Sequence, residues 1–283
     1  MYAKFFFERF WGGEQRNELF VCMPFHDTFD FRFKDVILPA SKEAGFDKAV
    51  RVKEDVEGNV IMTKILDGIA NSKMVLIDFT DDPKSACIHS RHVNGNVLYE
   101  AGIAHAMREP SAVVMIRDQD ADTADFDIRG LTINQPKYGG LTKGWLSTLL
   151  KTSLENYNWS ESKRVKAAAE SIDDIGLRLM YDIGRRPKDW NHFNTLNQPA
   201  EVKMAVLRLL DLGILFFATG GARIPTEHAY HWTSFGYEVM KYLSMTCFTM
   251  EEFKEMPGYE EAVEAKNKYN ESRKKLEDSL KKN

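Results

Sequence analysis

Three short, almost uninterrupted apolar runs constrain this chain most: LFVCMPF (Leu19–Phe25), KMVLIDFT (Lys73–Thr80) and SAVVMIR (Ser111–Arg117). A strand with one face in water alternates apolar and polar residues. A strand apolar throughout must be covered on both faces, which is the condition of a strand inside a parallel sheet. Helical spacing fills the intervals between these runs. Phe33, Ile37, Ala40 and Ala44 repeat within Phe29–Gly45, which ends on a glycine suited to a helix C-terminus. Val60, Ile61, Ile65 and Ile69 repeat within Val60–Ser72, and Asn94–Met107 is a third helical segment. Ala49–Lys53 is a weaker strand, and a fifth lies around Leu131–Asn134.

Strand and helix in alternation predict an α/β domain over residues 1–157, with a flavodoxin-like three-layer parallel sheet. Ligands of such sheets bind beyond the carboxyl ends of the strands. The segments to watch are therefore Pro24–Thr28, Asp78–Pro83 and Arg117–Asp120. Beyond Tyr157 the pattern changes. Ser160–Gly184 and Ala200–Leu212 have helical spacing, Gly213–Ala218 and Ala229–Thr233 read as strands around the turn-rich Thr219–His228, and Ser234–Leu243 returns to helix. Helix, apolar hairpin and helix in this order resemble a winged-helix module. This predicts a smaller, mostly helical domain over 158–258, followed by a charged helical tail over 259–283.

Composition narrows the setting. Of 283 residues, 43% are hydrophobic and 28% charged, the mixture of a globular protein. The most apolar stretch, Val206–Ala218, includes Arg208 and Asp211 and falls well short of the roughly 20 residues a membrane span needs. Met1–Trp11 carries Lys4, Glu8 and Arg9 and has no signal-peptide core. Cys22, Cys87 and Cys247 are too few and too scattered for a disulfide framework. A cytoplasmic protein with no membrane partner is expected.

The formal charge of −4 supplies no general attraction for nucleic acid. All of it lies in the first 157 residues; residues 158–283 hold nineteen Lys+Arg against nineteen Asp+Glu. Ala200–Leu212 offers only Lys203 and Arg208 to phosphates, and the turn of the hairpin only Arg223. DNA binding depends heavily on such cations. A protein partner, or self-association, is the favoured expectation for the carboxy-terminal half, with DNA second.

The most informative segment is NGNVLYEAGIAHAM (Asn94–Met107). As a helix it is apolar almost all round, which predicts burial between the sheet and other elements. One carboxylate, Glu100, interrupts it. A buried carboxylate without a partner is costly or shifts its pKa. Either the nearby helix N-terminus merely tolerates it, or the helix begins at the ligand edge and Glu100 points into a cleft.

KMVLIDFT followed by GNVLYEAGIAHAM (Gly95–Met107) resembles the core signature of the nucleoside 2-deoxyribosyltransferase-like superfamily. LFVCMPF and FDIRG (Phe126–Gly130) match segments of its broader branches, and the resemblance spans about Leu19 to Asn134. It implies that Glu100 attacks C1′ of a nucleoside, nucleotide or NAD-type substrate to form a glycosyl-enzyme, as in retaining glycosidases. It implies that Asp78 handles the sugar hydroxyls or the proton on the leaving base. Met23, Pro24 and Phe25 would then wall the base, and Asn94, Gly95 and Asn96 would offer free N–H groups to a phosphate. Between Asp78 and Glu100 the chain departs from the simple family pattern with a longer polar insertion, Asp81–Gly95. A deoxyribosyltransferase-like domain joined to a winged-helix-like module is similar in layout to effectors of bacterial anti-phage systems, some retron effectors among them.

Blander roles stand beside these. Glu100 could cap a helix or join a structural ion pair, and Asp78 could cap a loop. Arg117, Arg129 and Arg91 are candidates for a phosphate or for ordinary ion pairs. His89, His92 and His105 lack the spacing of a metal site, so no metal and no cofactor are expected. The rival to an enzyme is a nucleotide-sensing module that binds without turnover.

Overall fold

The computed structural model describes residues 15–25, 27–52, 58–81, 93–118, 132–136, 140–187, 190–219 and 228–264, with 266, 267 and 271. Four strands, β1 (Arg16–Cys22), β2 (Lys48–Val50), β3 (Ser72–Asp78) and β4 (Val113–Ile116), form one sheet. All pairings are parallel, in the order β2-β1-β3-β4. The helices of this part of the chain and the start of the next are α1 (Asp27–Arg32), α2 (Leu38–Ala44), α3 (Gly58–Asn71), α4 (Gly95–Met107), α5 (Lys143–Ser171) and α6 (Asp174–Leu179). The chain divides into two compact units, Met1–Arg164 and Val165–Asn283, and the division falls within α5.

The alternation of side chains along each strand sorts the core of the first unit into two layers. Phe20 and Cys22 of β1 and Val75, Ile77 and Phe79 at β3 pack with Ile65 and Ile69 of α3 and Val97, Ala101 and Ala104 of α4. Leu19, Val21 and Met23, with Met74 and Leu76, pack instead against Phe29 of α1, Ala40 of α2 and Leu146 and Leu150 of α5. Helices thus cover both faces, as the apolar strands require. Gly68 marks the tightest approach on the first face: a Cβ there would lie 2.1 Å from Cε2 of Phe20.

The single helix expected over Phe29–Gly45 is two helices joined by a wider turn, Phe33–Ile37. It ends at Gly45, whose φ of 102° is left-handed. Among the described residues, the expected fifth strand shows as one parallel bridge between Asn134 and Ile116. Helix α4 is buried on one side only: Val97, Glu100, Ala101 and Ala104 face inward, while Tyr99 is 60% exposed. Its all-round apolar composition comes largely from alanine and glycine, which cost little on a surface.

In the second unit, α7 (Ala200–Asp211), the antiparallel hairpin of β5 (Leu215–Thr219) and β6 (His228–Trp232), α8 (Ser234–Tyr242) and α9 (Met250–Lys254) follow one another. Val206, Leu209, Ile214, Leu215, Trp232, Val239 and Met240 form their common core with Val165, Ala168 and Met180. Thr233 caps α8 by accepting the Gly236 N–H at 2.9 Å. Among the described residues, no helix is long and apolar enough to cross a membrane.

Candidate functional site

Residues that follow the strands collect at the carboxyl edge of the sheet, on both of its faces. On the α3–α4 face, Cys22 closes β1 and is fully enclosed in the apolar layer. Glu100 reaches it from the second turn of α4 and is 8% exposed. The Cys22 thiol lies beside the Glu100 carboxylate. Burial raises the Glu100 pKa to about 7, and the neighbouring thiol opposes only part of that rise. Cys22 is itself pushed well above the ordinary thiol range, by burial first and then by the neighbouring carboxylate. No cation among the described residues pairs with Glu100.

The other face is organised by Arg32 of α1. One Nη atom donates to Asp78 Oδ2 at 2.9 Å and to Thr80 Oγ1 at 2.7 Å, and the other to Asp118 Oδ2 at 2.8 Å. Asp78 is 0% exposed, and its second oxygen accepts the backbone N–H and the hydroxyl of Thr80. Asp118 Oδ1 accepts the Leu141 N–H at 2.7 Å, tying the segment before α5 to the same cluster. Arg117 is 1% exposed and pairs with Asp81 at 2.8 Å. Such pairs hold their partners strictly, because removing one member strands a buried charge.

The two carboxylates singled out in the sequence are therefore not brought together. Asp78 shares the side of Met74 and Leu76 and meets Arg32, whereas Glu100 meets Cys22 across the sheet from it. Met23 packs in the layer of Phe29 and Ile37, away from the Glu100 face, and Pro24 is buried while Phe25 is half-buried. Asn94 caps α4 by accepting the Asn96 N–H at 2.9 Å, and Gly95 and Asn96 are exposed at the helix start. Arg117 is held in its pair with Asp81. Arg91, Arg129, His89, His92, Cys87, Phe126–Gly130 and most of the Asp81–Gly95 insertion lie outside the described residues. Among the described residues no cluster of His, Cys, Asp or Glu has the makings of a metal site.

Thr80, Asp81 and Asp118 lie in the strand-end segments Asp78–Pro83 and Arg117–Asp120 that the sequence marks, whereas Cys22 and Arg32 were not assigned to the site. For Cys22 a signal existed: it has the same parity as Phe20, on the face that a helix following β3 covers. Comparison with protein-family models gives no match, and comparison with curated proteins gives none either, so the site is read from its own chemistry.

Proposed function

We propose that the first unit is an N-glycosidase of the nucleoside 2-deoxyribosyltransferase-like type, built on a flavodoxin-like sheet, with Glu100 as its reacting carboxylate. The observation that carries this reading is a buried carboxyl with no cation paired to it among the described residues, at the ligand-binding edge of a parallel sheet, whose pKa stands at about 7. At neutral pH such a group divides between its two protonation states. Its ionised form attacks C1′ as the bond to the base breaks, the base takes a proton from solvent, and water then releases the sugar from the ester and returns a proton to solvent. The neighbouring Cys22 thiol favours the ionised form, against the effect of burial. Asp78 acts here as a positioning residue for Arg32, with both its oxygens already engaged.

That engagement of Asp78 also favours a second reading, a nucleotide-sensing module in which ligand binds without turnover. The strand order β2-β1-β3-β4 supports the flavodoxin-like layout. The order α7, β5, β6, α8 supports a winged-helix module, and Met204 and Leu207 on the exposed side of α7 suit a protein partner better than a phosphate backbone. The proposed setting is cytoplasmic. Incubating the purified protein with nucleosides, nucleotides and NAD and assaying free base separates the two readings. Released base supports the glycosidase; calorimetric binding with no base supports the sensor.

A further inference from the structure

Arg51 stands immediately after β2, at the carboxyl edge of the sheet. Its side chain is 5% exposed. One nitrogen, Nη2, pairs with Asp30 of α1, and the guanidinium lies over the Phe33 ring, 4.7 Å from its centroid. Nε and Nη1 are buried and have no hydrogen-bond partner among the described residues. Arg32 and Arg108 of the same unit differ. Arg32 spends both Nη atoms on Asp78, Thr80 and Asp118, and Arg108 donates to the carbonyls of Ala70 and Lys73. A guanidinium carries five N–H donors, and three of these belong to Nε and Nη1. Donors buried without acceptors bear their full desolvation cost, so these nitrogens call for an acceptor beyond the described residues.

We propose that Arg51 anchors a phosphoryl group of a ligand bound at the carboxyl edge of the sheet. Nε–H and the two Nη1 donors point away from one another, so one phosphoryl group meets the Nη1 pair, the larger of the two sets. The Phe33 ring lies against the guanidinium, and Asp30 engages Nη2 alone. The position agrees with the general placement of ligands in open α/β sheets. The proposal goes beyond the glycosidase reading, because a phosphoryl anchor selects nucleotides over nucleosides. It does not depend on Glu100, since phosphate binding needs no turnover.

The test is calorimetric titration of the full chain with inorganic phosphate, a nucleoside and the matching nucleoside 5′-monophosphate. Wild type is expected to bind phosphate saturably. Arg51→Gln should weaken that binding by about tenfold or more, and Arg51→Lys, which keeps the charge without the fork, should fall between. Asp30→Asn removes a competing carboxylate from a side chain that is 46% exposed, and should tighten phosphate binding several-fold. A monophosphate that outbinds its nucleoside, with the advantage lost in Arg51→Gln, identifies a nucleotide phosphoryl group. Binding of phosphate alone identifies free phosphate, with the same anchor. Absence of saturable binding, an Arg51→Gln protein that binds as wild type does, or an Asp30→Asn protein that binds no tighter, each overturns the proposal. Base release is assayed separately, so loss of either result leaves the other intact.

Discussion

The thiol of Cys22, at the end of β1, lies beside the carboxylate of Glu100, on the second turn of α4. This contact joins the last residue of a central strand to the one acidic residue of an otherwise apolar helix. It gives Glu100 a thiol neighbour and no positive charge, so burial dominates its protonation.

A pH dependence of stability follows from that burial. The pKa of Glu100 rises from an ordinary 4.5 to about 7 in the folded protein. Between these values the folded state holds a proton that the unfolded state has released, so stability falls as pH rises from 4.5 to 7. At about 1.4 kcal/mol per pKa unit, the loss amounts to about 3 kcal/mol at most. Glu100→Gln removes the titration, so urea unfolding at a series of pH values should show wild type losing stability across that window relative to the variant. Parallel curves would contradict the placement of Glu100.

Thiol reactivity should divide sharply. Cys22 is buried and its pKa is raised, which suppresses the thiolate that alkylating reagents need, whereas Cys247 is exposed. Peptide mapping after brief treatment of the native protein with iodoacetamide should find Cys247 labelled and Cys22 unlabelled until urea is added. Labelling of Cys22 at the rate of Cys247 would show that β1 does not end in a closed layer.

Arg32 is expected to matter for folding before it matters for chemistry. Its removal leaves Asp78, 0% exposed, without its counter-charge. Arg32→Met should cost about 3–5 kcal/mol in urea unfolding, the range for breaking a buried pair. Arg32→Lys should cost less, since it keeps the charge but cannot span Asp78, Thr80 and Asp118 together. A loss below about 1 kcal/mol for Arg32→Met, typical of a surface pair, would contradict this network.

Much of this architecture was legible because the strands are apolar on both faces, a pattern that a parallel sheet covered by helices produces and a half-exposed sheet does not. The parity of β3 even carries the side of Asp78, since it matches Met74 and Leu76. What no local pattern carried was which helix covers which face, and therefore that Arg32 meets Asp78 while Cys22 meets Glu100. Helix α5 was harder still. Leu146 and Leu150 pack in the core of the first unit and Val165 and Ala168 in that of the second, so its apolar stripe serves two cores and shows no single period. A boundary at residue 157 and the division at Arg164 both fall inside it. The site was legible at Glu100, where one charge breaks an apolar helix; no sequence pattern marks Arg51 or Arg32.

The second unit carries its own titration. His231 stacks between His192, 5.6 Å away, and Phe216, at 5.4 Å. Burial first, and then His192, lowers its pKa from 6.5 to about 4. Within that window the unfolded chain binds the proton that the folded one refuses, so stability is lost as pH falls from 6.5 towards 4. Its upper size is about 3 kcal/mol. His231→Gln should flatten this acid limb in urea unfolding; an unchanged limb would mean that His231 is not buried beside His192.

The most direct measurement is turnover with paired mass spectrometry. Wild type, Glu100→Gln and Glu100→Ala are each mixed with nucleosides, nucleotides and NAD, free base is quantified, and the intact protein mass is recorded during the reaction. Base released by wild type, with a sugar adduct mapped to Glu100 and neither product nor adduct in the folded variants, is the expected result. Full turnover in both variants would contradict the assignment of Glu100 as the reacting carboxylate.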